Sequence, residues 1–231
     1  MFTDESSTTG GITLFVELIK ARCIFLEAQG YLFHHMPNCV WYEKSDPTGG
    51  YTISFNYLDY DTIDVYGLSA CRRLNEVESV FQKSIPGWPE DLPTIHTYFD
   101  GDSFREHIHP ELLPTSDNYH FQISDVASLA SYAELIIAFY ERQVLPFFET
   151  YATVKAIHEW VASKPVEQHK ELLSSQENVM VLRRIIIMYL AGDQGYETLL
   201  NEYKTYLAAK EEQVFRHIYE HLLKVEHQLA R

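Results

Sequence analysis

The chain has 231 residues, 46% of them apolar and 14% aromatic, so it can bury a large core and lies far from the composition of a disordered polypeptide. A net charge of −15 disfavours nucleic acid as a partner, because phosphates would be repelled. No apolar run reaches the length of a membrane span and no charged-then-apolar leader is present, which predicts a soluble, cytoplasmic protein without membrane association.

Met1 to Gly11 is rich in Ser, Thr and Gly and is predicted to fray. Ile12 to Gln29 follows with apolar residues at helical spacing, and Gly30 is placed to stop the helix. Cys23 falls on its apolar face and reads as a small core residue. With Cys39 and Cys71 it makes an odd set of three without CxxC spacing, which suits free thiols in a reducing compartment. Tyr31–Met36, Cys39–Lys44, Tyr51–Tyr57 and Thr62–Ser69 are short β-prone runs. Pro37-Asn38, Asp46 to Gly50 and Leu58 to Asp61 separate them as turns. Short loops between successive strands imply an antiparallel meander.

Asn75 and Glu78 have capping-box spacing ahead of a short helix that buries Val77, Phe81 and Ile85. Residues 86–118 hold five prolines and one further strand candidate, Thr94–Phe99. Tyr119, Phe121 and Ile123 then alternate with polar residues as a half-buried strand. Ser124 or Asp125 is placed to cap a helix whose stripe is Val126, Leu129, Ala133, Ile136, Ile137, Tyr140 and Val144. Pro146 is predicted to end it and open a second helix, with Phe147, Tyr151, Val154, Ile157, His158 and Val161 facing inward. A short segment from Pro165, a helix over Glu177–Leu190 and helical stretches over Tyr196–Leu207 and Glu211–Leu229, read as one bent helix or two, complete the chain. The fold class is therefore α+β: an antiparallel meander sheet packed by helices, with a C-terminal helical region. Residues 1–164 read as the α+β domain and residues 165–231 as a helical extension.

Candidate chemistry is sparse. His217-Ile218-Tyr219-Glu220-His221 matches H-x-x-E-H, but the third ligand of a catalytic zinc would come from well downstream, and the two histidines flank an apolar stripe. His107 and His109, with His34 and His35, lack recognised ligand spacing. Asp100-Gly101-Asp102 lacks the further donors of a calcium loop and reads as a turn. His158 reads as a hydrogen-bonded core histidine. Ser69-Ala70-Cys71 could be imagined with His96 or His120 in nucleophilic chemistry, yet no nucleophile elbow, phosphate loop or dinucleotide fingerprint is present. No catalytic residue, metal ligand set or cofactor follows.

Two binding readings remain. Residues 43–125 hold 15 acidic and 5 basic side chains, ten of the fifteen excess negative charges. Such a surface serves solubility, or it meets a basic protein partner whose encounter it would speed. Alternatively the aromatics Tyr51, Phe55 and Tyr57, with His96 and His120, line a pocket for a small ligand, although strand aromatics serve more often as core.

The order of elements, together with the Leu145-Pro146-Phe147-Phe148-Glu149 corner, resembles a loose group of uncharacterised bacterial domains of unknown function over about residues 12–162. Some small acidic bacterial proteins of this general kind neutralise partner toxins. The resemblance implies a bacterial cytoplasmic protein and assigns no functional residue. The leading expectation is a non-catalytic binding protein of immunity or inhibitor type.

Overall fold

The computed structural model describes residues 8–59, 62–89, 92–110, 112, 120–173 and 177–230. The alternating stretches form one antiparallel six-stranded sheet. Its strands are β1 (Leu32–Met36), β2 (Cys39–Asp46), β3 (Gly49–Asp59), β4 (Ile63–Leu74), β5 (Ile95–Tyr98) and β6 (Phe121–Ile123). Their order is β1-β2-β3-β4-β5, and β6 also pairs with β4. The α+β class read from the sequence is the observed one.

The turns follow from their residues. Met36 lies opposite Cys39 across Pro37-Asn38, where Asn38 adopts a φ of 68°, a region that Asn tolerates better than most residues. Between β2 and β3, Asp46 Oδ1 accepts hydrogen bonds from the Thr48 amide at 2.7 Å, the Thr48 hydroxyl at 2.6 Å and the Gly49 amide at 3.0 Å. That side-chain turn lets the strand resume at Gly49 itself, so the loop expected through Gly50 is shorter than its composition suggests. Where β6 joins β4, Ile63 faces Ile123 and Val65 faces Phe121. These apolar pairs fix the register.

The helices are α1 (Thr8–Arg22), α2 (Ile24–Ala28), α3 (Asn75–Ser84), α4 (Val126–Phe139), α5 (Leu145–Thr150), α6 (Val154–Ala162), α7 (His169–Leu173), α8 (Glu177–Leu190), α9 (Tyr196–Ala208) and α10 (Gln213–Leu229). α2 stops at Gly30, whose φ of 88° goes with a bond from the Tyr31 amide to the Leu26 carbonyl, as in a Schellman motif. Asp125 caps α4: its Oδ1 accepts from the Ser128 amide at 2.8 Å, while the Ser128 hydroxyl accepts from the Asp125 amide at 3.1 Å.

Three expectations change and one open choice is settled. The polar start is not frayed throughout: Met1 to Ser7 lie outside the described residues, but α1 already begins at Thr8. The Asn75–Glu78 box does not form, because Leu74 occupies the cap position and Glu78 is buried in an ion pair. α9 and α10 are separate helices, parted at Ala209–Glu212. Pro146 does not break the helix. A π-helical turn over Tyr140–Val144 connects α4 to α5, with the Leu145 amide bonded to the Tyr140 carbonyl five residues back. The wider turn makes room for a ring that would otherwise meet the carbonyl four residues earlier, so the proline is carried inside α5. The interruption comes instead at Tyr151–Thr153, where the Thr153 hydroxyl accepts from the Ala156 amide and starts α6. Tyr119 and Asp61 lie outside the described residues.

The chain's contacts group it into two compact units built from interleaved segments. The first contains residues 1–44, 51–70 and 97–147. Within it Phe15 of α1 meets Phe55 and Tyr57 of β3, with ring centroids 6.4 and 5.3 Å apart. Tyr132 of α4 meets Phe55 at 5.4 Å and Phe121 of β6 at 6.0 Å. α1 and α4 thus lie on the sheet face that carries Phe55, and Ile19, Cys23, Leu26, Val40, Tyr42 and Ile136 complete that core.

The second unit contains residues 45–50, 71–96 and 148–231. α3 packs against α8 and α10, and α8 also meets α6, α7 and α9. At one end Arg72, fully buried, donates to the Gly50 carbonyl at 3.1 Å, the Arg73 carbonyl at 2.9 Å and the Thr48 hydroxyl at 2.7 Å. A Cβ on Gly49 would collide with the Arg73 carbonyl oxygen and crowd Arg72 Nη1 at 2.9 Å. Elsewhere in the unit Glu78 accepts from Arg183 Nε and Nη2, each at 3.0 Å, and from the Thr94 hydroxyl at 2.9 Å.

Candidate functional site

The residues singled out from the sequence are distributed over both units. Phe55 and Tyr57 belong to the core of the first unit, and the Tyr57 hydroxyl bonds to His35 Nε2 at 2.7 Å. His120 stacks on Tyr66 in that unit, and Tyr51 is half-buried on β3. His96 lies in the second unit, where burial and then the charge of Arg183 push its pKa down to about 4. None of the five lines either of the cavities at α1–α4 and α7–α9.

The other histidines go to separate partners. His34 stacks on Trp41, His109 lies 3.2 Å from Glu134, and His158 is 3.2 Å from Asp193. His217 and His221 do approach, with ring centroids 4.2 Å apart. Among the described residues, no group of three or more His, Cys, Asp or Glu side chains is placed to hold a metal ion. Burial pushes the Cys23 and Cys71 thiols up to about 12, so both stay protonated and unreactive at neutral pH. Ser69 shares a 3.3 Å hydrogen bond with Ser54.

A concavity open to the surface lies in the second unit, among the chain leading into α7, α8 and α9. It is a cavity of about 460 Å³. Helical spacing builds it. Met180, Val181, Arg184 and Met188 make one stripe of α8, and Thr198, Leu199 and Glu202 make the facing stripe of α9, with Gly195 at its N-cap. Val166 and His169 close it from the third side. The turn between α8 and α9 sets their spacing: Gly192 has a φ of 76°, and Asp193 Oδ1 accepts from the Gly195 amide at 2.8 Å while its Oδ2 meets His158.

Two neighbouring arginines leave α8 in different directions because successive helical residues are about 100° apart. Arg183 goes inward to Glu78, and its side chain is 3% exposed. Arg184 lines the cavity. Its Nη1 sits 3.4 Å from both ring nitrogens of His169, so the guanidinium lies over the imidazole. Burial, and then the Arg184 charge, hold the His169 pKa below the ordinary value. The neutral ring donates through Nε2 to the Lys164 carbonyl at 3.1 Å. Burial also lowers the Arg184 pKa, with Asp193 opposing, but a guanidinium stays charged. Among the described residues no carboxylate lies within ion-pair distance of Arg184. The site is an apolar chamber with one half-buried cation, an exposed carboxylate on Glu202 and a hydroxyl on Thr198.

Arg184 and His169 were not legible as a pair, since α8 reads simply as an apolar helix. The available signal was the tandem arginine inside Val179-Met180-Val181-Leu182-Arg183-Arg184-Ile185-Ile186-Ile187, where two charges interrupt an otherwise apolar run.

Comparison with protein-family models, with curated proteins and with solved structures returned no match.

Proposed function

We propose that this chain is a non-catalytic binding protein that receives a small organic ligand in the α7–α9 cavity. The observation that carries this reading is the combination of an apolar chamber in the size range of ligand sites with a single half-buried guanidinium that has no carboxylate partner among the described residues. This keeps the small-ligand reading of the sequence and moves it from Tyr51, Phe55, Tyr57, His96 and His120 to the C-terminal helices. The protonated state of the buried thiols supports a non-catalytic role. Three free cysteines support a reducing, cytoplasmic setting, and among the described residues no helix is long and apolar enough to cross a membrane. Thermal unfolding in the presence of small amphipathic compounds tests the proposal. A ligand raises Tm in proportion to its binding to the folded state, and Leu199→Trp, which fills the chamber, abolishes the rise. A rise that survives Leu199→Trp would overturn the assignment.

The second reading is a basic protein partner held by the acidic surface, as in an immunity-type inhibitor. It rests on the concentration of negative charge in residues 43–125. Binding of that kind weakens as salt rises. Affinity indifferent to ionic strength would count against it.

A further inference from the structure

We propose that the ligand of the α7–α9 cavity is an organic monoanion: an apolar body ending in one carboxylate, which pairs with Arg184. This rests on the cavity reading and adds the chemical class. Four features of the site converge on it.

First, the cation is already partly stripped of water. Burial lowers its pKa, with the Asp193 charge opposing from beyond ion-pair distance, and the group it touches is the His169 imidazole, which cannot neutralise it. A carboxylate is the natural complement, because the planar guanidinium offers two parallel donors to two oxygens. Second, that guanidinium is held in place. His169 is 4% exposed and tied by Nε2 to the Lys164 carbonyl, so it forms a fixed floor under Arg184. A preorganised donor loses less freedom on binding. Third, the walls are Met180, Val181, Met188 and Leu199, which favour an apolar body, and the two methionines adapt to its shape. Fourth, Glu202 lies exposed on α9 and carries the ligand's own sign. It disfavours a second negative group on the ligand, which selects monoanions over diacids.

The test uses the full chain and three probes of equal chain length: octanoate, octanol and octylamine, titrated by calorimetry. Octanoate binds about tenfold or more tightly than octanol, the margin of a charge-assisted hydrogen bond, and octylamine binds most weakly. Arg184→Gln erases the margin between octanoate and octanol, and a cooperative thermal transition shows that the variant is folded. Equal affinity of wild type for octanoate and octanol, or a margin that persists in Arg184→Gln, overturns the ligand class but leaves the cavity reading standing. If neither octanoate nor octanol binds wild type, or both bind Leu199→Trp undiminished, the cavity reading fails and the ligand class with it. Should Arg184→Gln not fold, the order of the three probes on wild type decides alone.

Discussion

Replacing Glu78 by Ala isolates the energetics of the second unit's interior. The carboxylate accepts two bonds from Arg183 at 3.0 Å and one from the Thr94 hydroxyl at 2.9 Å. The side chains of Glu78 and Arg183 are 1% and 3% exposed. A guanidinium cannot shed its proton, so the substitution leaves a buried positive charge beside the Leu173 carbonyl and the face of Phe81 with no carboxylate bonded to it among the described residues. Breaking a buried pair from one side costs about 3–5 kcal/mol, which lowers Tm by roughly 10 °C in a chain of this size. Removing both charges, in Glu78→Leu with Arg183→Met, recovers most of that loss, because apolar groups of similar volume replace buried pairs at little cost. Urea unfolding followed by far-ultraviolet circular dichroism measures both. A loss below about 1 kcal/mol in Glu78→Ala, or a double variant as unstable as the two singles combined, would refute the reasoning.

Gly49→Ala forces a methyl group into the Arg73 carbonyl and is expected to cost about 2 kcal/mol or more, read from the same urea curves; a neutral result would mean that the hairpin is looser than its geometry. His96 supplies a pH dependence: its folded pKa of about 4 lies below the ordinary 6.5, so the unfolded chain takes up the proton first as pH falls. Its contribution is whole above the ordinary value and is lost on descent toward the folded one, about 2 kcal/mol between pH 7 and 5. His96→Gln flattens that part of the stability profile, and identical slopes for variant and wild type over this window would contradict the assignment. Pro146→Ala is expected to leave Tm unchanged or raise it, because the wide turn already accommodates the ring and alanine restores an amide; a clear fall in Tm would show that the proline is required.

The sequence made the strands legible because one buried face enforces alternation, and Tyr51–Tyr57 and Phe121–Ile123 show it plainly. Glycine obscured the start of β3: Gly49 reads as loop, yet it is needed where the Arg73 carbonyl passes close to the backbone. Glu78 illustrates a different limit. Its spacing from Asn75 satisfies a local rule, but a partner 105 residues away claims its carboxylate. No local pattern encodes that competition. Arg184 and His169 escaped notice for the same reason, since their relation comes from the packing of α7 on α8. The aromatics chosen as pocket residues were placed by chemistry that suits a binding wall and a core equally well, and Phe55 and Tyr57 went to the core.

The extra residue accommodated in the π-turn also acts as a phase shifter. Each residue advances an α-helix by about 100°, so one additional position ahead of α5 re-aims every side chain after it. Phe147 and Phe148 are both buried downstream of that advance, while Leu145 is exposed. A single-codon deletion within Tyr140–Val144 would therefore bring the Pro146 ring against the carbonyl four residues earlier. It would also swing the two phenylalanines away from the positions they fill, so that strain and a poorer fit would come together.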